Sequence, residues 1–356
     1  MEQEHKRRSR GSLWAGLAAA ACLLWACFSP LDAVAAGYEA AVTATPGCQR
    51  QLVPVGRAVG IKLFSDGVLV VGLSEVETSS GAKEPGRECG LKAGDLITHI
   101  NGQDVDTIES VQALLAEEEG APLTIRAQRG EKTLQLSATP AANLQGSYQL
   151  GVWLRDSMAG IGTMTFYDPD TGSFAALGHG INDVDTATLM PLESGSIMPA
   201  TVGDVKKGQS GQPGELHGNF DLSRDLGDLY ANTESGIFGT MDRQETYCSG
   251  QSIPVASRGE VEIGPATIRS NVRGDKVETF DIEITHLAPD DEASRALTIH
   301  VTDPELLTVT GGIVQGMSGS PILQNGKLVG AVTHVLVNDP TRGYGIFIEN
   351  MLNAAR

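Results

Sequence analysis

The chain has 356 residues, 41% of them hydrophobic, and a formal net charge of −18 at pH 7. That length holds about two domains with cores of their own, and the negative balance argues against nucleic-acid binding, since phosphate would repel it. Forty-three glycines suit a loop-rich, mainly β protein.

The N-terminus places Lys6, Arg7, Arg8 and Arg10 before an apolar run from Leu13 to Phe28, with Ala33-Val34-Ala35 behind it. Residues 1–36 therefore read as a secretory signal, or as a retained N-terminal membrane anchor, followed by a linker over 37–53. Any membrane contact is expected through this segment only. Past the signal, Cys48, Cys89 and Cys248 are too few and too widely spaced for a disulfide framework or a Cys-x-x-Cys metal site. One pair involving Cys48 or Cys89, or three free thiols, remain alternatives. No cofactor or metal is called for.

From Pro54 to Pro140 the pattern is that of a small β domain. Val59-Gly60-Ile61-Lys62-Leu63 reads as a glycine-led apolar loop, and Gly67–Leu73 as a buried strand. Ile108, Val111, Leu114 and Leu115 have helical spacing behind a Thr107 cap. Leu123–Ala127 and Thr133–Leu136 alternate as closing strands. The run Leu91-Lys92-Ala93-Gly94-Asp95-Leu96-Ile97, followed by Ile100-Asn101-Gly102, resembles a bacterial PDZ domain over 54–139. The resemblance implies that a peptide or protein C-terminus adds as a strand beside Lys62–Ser65. Its carboxylate would be held by the Gly60, Ile61, Lys62 and Leu63 loop, with the Val111 helix walling the groove.

After a small-residue linker at 140–147, residues 148–356 read as short strands and glycine turns, the signature of an all-β barrel or sandwich. Gly160–Tyr167 and Ser173–Leu177 are strands joined by an Asp168–Gly172 turn, and the second runs into Gly178-His179-Gly180. The polar loop Lys206–Gly214 carries no assignable chemistry.

Gly316-Met317-Ser318-Gly319-Ser320-Pro321 precedes two apolar strands joined by Asn325-Gly326, a strong hairpin signal. A serine nucleophile needs a tight turn with backbone N–H groups beside it, and flanking glycines permit that shape. Its proton needs a base. Among the histidines, His179 ends an apolar strand between glycines, while His334 is a rival by proximity to Ser318 in the chain. For the acid, Asp303 lies on the Ile299 and Val301 face of a strand, where a carboxylate wants a partner; Asp183 and Asp185 are the rivals.

The Gly-x-Ser-Gly hairpin and Phe174-Ala175-Ala176-Leu177-Gly178-His179 resemble chymotrypsin-type peptidases. Residues 159–167, 176–179, 236–240, 310–322 and 330–341 resemble more closely the stage IV sporulation protein B family of serine peptidases, over nearly the whole mature chain. The resemblance implies a PDZ domain followed by a chymotrypsin-like double β-barrel. It also implies His179 as base, Asp303 as third triad member and Ser318 as nucleophile, with the N–H groups of Gly316 and Ser318 as oxyanion hole.

Met317 replaces the aspartate of zymogen-activated relatives, and Ser320 replaces a glycine. By the same resemblance Gly312, six residues before Ser318, occupies the region that lines the first specificity pocket, and with no carboxylate there no preference for Lys or Arg at the cut is expected. The family role implied is a secreted endopeptidase between the two membranes of the developing spore. There it would cut a membrane-anchored regulator, and itself, to release an intramembrane protease that activates a sigma factor. A quality-control PDZ protease, or an inactive PDZ binding module, are the alternatives.

Overall fold

The chain turns at Gly56 (φ +72°) between β1 (Gln51–Pro54) and β2 (Ala58–Leu73), the strand on which both lobes hang. The computed structural model describes residues 50–241, 247–288 and 294–355. The signal or anchor, most of the first linker and Cys48 lie outside the described residues. In its first half β2 buries Leu63 and Ser65 and exposes Lys62 and Phe64, the alternation of a strand with one face on a core. Val68–Val70, further along, are buried without alternation.

That second half enters a small lobe with β3 (Leu96–Ile100), α1 (Ile108–Glu117), β4 (Leu123–Arg129) and β5 (Lys132–Ala138). The Thr107 hydroxyl accepts from the Ser110 N–H at 3.1 Å, satisfying a donor that the first helical turn would leave unpaired. Val111, Leu114 and Leu115 then face Val68, Val70, Ile97 and Ile125 in one core. Asn101 and Gly102 both take positive φ (51° and 81°), as a tight hairpin turn requires.

The next strand, β6 (Val152–Tyr167), returns along the whole of β2. Val152 pairs with Leu73 and Leu154 with Val70 in the small lobe; Ser157 pairs with Phe64 and Thr163 with Ala58 beyond it. Both strands are therefore shared by the two lobes, β2 coming from within 54–139 and β6 from within 148–356.

With β7 (Ser173–Ala176), β8 (Ser194–Lys206), β9 (Gly227–Thr233) and β10 (Gly236–Met241), the shared strands close a first barrel. The pairings run β2–β6–β7–β10–β9–β8 and back to β2. A second closed barrel follows from β11 (Gly264–Arg273), β12 (Lys276–Leu287), β13 (Leu297–Val301), β14 (Pro321–Gln324), β15 (Lys327–Val335) and β16 (Arg342–Phe347). Its core holds Ile268, Phe280, Ile282, Leu297, Ile299 and Val332. Helix α2 (Pro304–Thr310) interrupts it and α3 (Ile348–Ala354) ends it. The β14–β15 turn has Asn325 at φ 51° and Gly326 at φ 75°, as its Asn-Gly sequence predicts. The chain is thus mainly β, a PDZ domain N-terminal to a chymotrypsin-like double barrel. Among the described residues no helix is long and apolar enough to cross a membrane.

One expectation needs correction. Gly60, Ile61, Lys62 and Leu63 do not form a loop. They lie inside β2 with both edges occupied: Gly60 pairs with Ile161 and Met198, and Leu63 with Met158 and Gly195. No peptide can add there as a strand. The sequence misled because the apolar run 58–73 is long enough to serve two lobes without a break.

Candidate active site

The barrels meet at a cavity of 740 Å³ that holds both His179 and Ser318. Strand β7 delivers the histidine through a kink, since Leu177 and Gly178 both take φ 70° and swing the following residue out of the sheet. Left-handed backbone at a leucine is strained by about 1–3 kcal/mol, a cost that recurs at functional sites. A Cβ on Gly180 would stand 2.7 Å from the Thr233 carbonyl oxygen, so the β9–β10 turn packs against the histidine segment. The Asn232 side chain fastens the same segment, accepting from the Ile181 N–H at 2.8 Å and donating to the Ile181 and Met190 carbonyls.

His179 Nδ1 lies 2.8 Å from the Gly180 carbonyl oxygen. A carbonyl can only accept, so the proton sits on Nδ1 and the lone pair on Nε2. Burial pushes the His179 pKa down, opposed in part by the Gly180 contact and by the charge of Glu234. The ring is therefore neutral, the form a general base needs.

The serine loop is set by glycines that no other residue can replace without movement. Gly316 and Gly319 take φ +95° and +97°, and a Cβ on Gly319 would stand 2.0 Å from the Thr163 carbonyl oxygen. Buried Thr163 on β6 ties the loop to the first barrel: its N–H donates to the Ser318 carbonyl at 3.0 Å and its hydroxyl to the Gly316 carbonyl at 2.8 Å. The N–H groups of Gly316 and Ser318 make no backbone hydrogen bond among the described residues, which leaves two donors beside the serine. The Ser318 hydroxyl donates to the Thr333 carbonyl at 2.7 Å rather than to His179. Met317 is fully buried as a core residue. Ser320 turns away from the cleft and donates to buried Ser270 at 3.0 Å, so its extra side chain leaves the loop unobstructed.

The structure does not bring the expected acid to this pair. Asp303 is the N-cap of α2, its carboxylate accepting from the N–H groups of Glu305 and Leu306, each at 2.9 Å, and from that of Asp281 at 3.3 Å. Pro304, at the first helical position, made that cap legible in the sequence. The rivals are engaged elsewhere too. Burial would raise the Asp183 pKa, but the Thr186 N–H and hydroxyl and the Arg155 guanidinium outweigh it and hold it low. Asp185 accepts from Arg155 at 2.9 Å. Among the described residues lining the cavity there is no carboxylate.

Around the cavity stand Ile161, Ile181, Ile313, Val314, Val335 and Tyr344. Gly312, expected in this wall, is instead pinned beneath Pro340, whose carbonyl oxygen a Cβ would approach to 2.1 Å. The loop 206–214 proves to be structural on this side: the Gly208 N–H donates to the Thr310 carbonyl at 2.9 Å, and Pro213 lines the cavity. His334 lines it as well, its ring centroid 4.8 Å from that of His179. Burial, then the neighbouring His179 and Arg295, press its pKa down to about 4. Thr163 and Thr333 were not foreseen, because nothing in a strand's alternation tells which backbone groups reach across a cleft.

In the small lobe, Val111 and α1 line a second groove of 1140 Å³, opposite Tyr148–Leu154 rather than β2. Gly151 takes φ +68° just before β6, and the Asp156 carboxylate accepts from the Ile108 N–H at 2.9 Å, fixing α1 against this strand. The signal missed was Leu150-Gly151-Val152, a second glycine-led apolar step directly after the linker. Cys89 and Cys248 are not paired with each other; burial pushes the Cys248 thiol up to about 12.

The model of the family described as SpoIVB peptidase S55 matches residues 146–352, more than half of the chain, and a PDZ-domain model matches residues 78–129. No curated protein matches. Among solved structures, the PDZ domain of the SdrC-like protein (Lmo2051) from Listeria monocytogenes is 26% identical, over 25% of this chain and 87% of its own, with a TM-score of 0.21. The active form of the Rv3671c protease from M. tuberculosis is 14% identical, over 68% and 82%, with a TM-score of 0.29. The thermostable serine protease AL20 from an extremophilic microorganism is 13% identical, over 55% and 91%, with a TM-score of 0.33.

Proposed function

We propose that this chain, which belongs to the SpoIVB peptidase S55 family and is a serine endopeptidase with a PDZ domain, acts as an exported signalling protease with Ser318 as nucleophile and His179 as base. The observation that carries the assignment is the shared cavity: a strained turn, a neutral imidazole with its lone pair on Nε2, and, beside one hydroxyl, two N–H groups with no backbone acceptor among the described residues. Rotation of the Ser318 side chain off the Thr333 carbonyl brings its hydroxyl towards His179. Nε2 takes the proton as Oγ attacks the scissile carbonyl, and the Gly316 and Ser318 N–H groups receive the oxyanion. Nε2–H then protonates the leaving amine, and water hydrolyses the acyl-enzyme by the same steps in reverse. The apolar walls favour an apolar side chain before the cut, and the lack of a lining carboxylate disfavours Lys or Arg.

On this reading the substrate is a membrane-anchored regulator in the space between the two membranes of the developing spore. Its cleavage releases an intramembrane protease that activates a sigma factor. The PDZ groove between α1 and Val152–Leu154 takes a peptide or protein C-terminus. Self-cleavage falls in the 37–53 linker, ahead of β1, whose Leu52 and Val53 are buried. N-terminal sequencing of the exported wild type beside its Ser318→Ala form tests this account. A wild-type N-terminus within 37–53, absent from the variant, is expected; identical N-termini would remove self-cleavage from the account.

A further inference from the structure

Resting on the Ser318–His179 reading, the remaining question is what orients the base once the three carboxylates proposed for that task are found elsewhere. On one side the Gly180 carbonyl holds Nδ1. On the other the nearest ring is His334, at a centroid distance of 4.8 Å and a tilt of 34°. It stands on β15 directly after Thr333, whose carbonyl holds the Ser318 hydroxyl, so one strand end touches both reacting side chains. Its Nδ1 is buried with no hydrogen-bond partner. A buried nitrogen left unpaired is unfavourable by about 1–3 kcal/mol, and far more so if it carries charge.

We propose that His334 is the positioning residue for His179: a neutral imidazole that packs its ring against the catalytic base, fixes the base's plane, and faces the imidazolium formed when Ser318 gives up its proton. A cation over an aromatic face within about 6 Å is stabilised without any counter-ion. The charged and titratable groups around the pair fit that role. Arg295, which precedes β13, lies over the Tyr344 ring at 5.4 Å, and Tyr344 on β16 pairs with His334. Burial opposes protonation of both rings; His179 and Arg295 add to it at His334, whereas the Gly180 carbonyl and Glu234 on the β9–β10 turn offset part of it at His179. His179 Nδ1 has a carbonyl acceptor that an imidazolium keeps, while His334 Nδ1 has none, so of the two rings His179 is the one placed to take the serine proton. The serine proton moves to His179 Nε2 and returns to the leaving group; His334 gains and loses none.

The test uses the full chain and a fluorophosphonate, in which Ser318 Oγ bonds to phosphorus, fluoride leaves, and the serine proton passes through His179. His334→Leu keeps bulk but no aromatic face; His334→Phe keeps the face but no nitrogen. For Leu, the maximal labelling rate is expected to fall about threefold to thirtyfold with little change in probe affinity. Its acid limb should move to lower pH, because the imidazolium has lost its support. For Phe, rate and limb are expected close to wild type. A Leu variant within twofold of wild type, a Phe variant as slow as Leu, or losses that follow melting temperature with an unmoved limb would each overturn the proposal. Should wild type itself fail to label at Ser318, the nucleophile assignment fails instead, which keeps the two outcomes apart.

Discussion

Replacing Asp303 separates a structural carboxylate from a catalytic one. Its side chain holds three N–H groups at 2.9, 2.9 and 3.3 Å, two of them in the first turn of α2. Asparagine caps a helix as well as aspartate and its one oxygen can keep both first-turn N–H groups, so Asp303→Asn should lose the charge–dipole part, about 0.3–1 kcal/mol, together with the long Asp281 contact, which an amide NH2 cannot accept. Alanine loses the cap itself, about 1–2 kcal/mol, or a few degrees of melting temperature for a unit of this size. Helix α2 leads through Gly311 and Gly312 into the Ser318 loop, so the alanine form should also react more slowly as that loop loosens. A triad aspartate behaves oppositely: changing it to asparagine leaves geometry intact and lowers turnover about ten-thousandfold. Urea unfolding with fluorophosphonate labelling of both variants decides. Asp303→Asn labelling within a few-fold of wild type is expected. A loss of a thousandfold or more with unchanged stability would refute the capping role as sufficient.

Gly319→Ala should be destabilised by about 1–3 kcal/mol from its φ of +97° alone. The Thr163 carbonyl, 2.0 Å from the added Cβ, must also move, so labelling of Ser318 should collapse with the urea midpoint. Stability should fall as pH drops from about 6.5 to about 4. His334 is depressed to about 4 in the folded chain, so the unfolded chain binds the proton first throughout that window and the loss ends below it. His334→Phe should flatten this part of a melting-temperature profile, and an unchanged slope would contradict the assignment. Cys248, buried and pushed up to about 12, should resist alkylation at pH 8 until the chain unfolds, as peptide mapping would reveal. A carboxylate-terminated peptide should shift the emission of Trp153, 63% exposed at the α1 groove, and Gly151→Val should abolish the shift; a peptide that bound equally to both would contradict the placement.

Local chemistry carried much of this fold. Thr107 ahead of Ile108, Val111 and Leu114 specifies a capped helix, and Asn325-Gly326 between apolar runs specifies a hairpin, because both signals act over a few residues. His179 and Ser318 were legible because unusual backbone leaves glycines as its trace. What the sequence hid is long-range. Strand alternation puts Asp303 on a face but not beside a partner, and the Pro304 that follows it was the better clue to a helix cap. Gly60–Leu63 and Leu150–Val152 are both glycine-led apolar steps. Only the pairing of β2 on both edges shows which of them is free to receive a peptide. His334 shows in the sequence only as a neighbour of the Ser318 hairpin, because its place beside His179 depends on β7 and β15 meeting from different barrels.

The central claim is that Ser318, activated by His179, is a nucleophile. Intact mass and peptide mapping after fluorophosphonate treatment at neutral pH test it directly, on wild type, Ser318→Ala and His179→Gln. A single adduct on Ser318 in wild type, none in Ser318→Ala and a greatly slowed one in His179→Gln is the predicted result. An unlabelled wild type, or an equal adduct in Ser318→Ala, would contradict it.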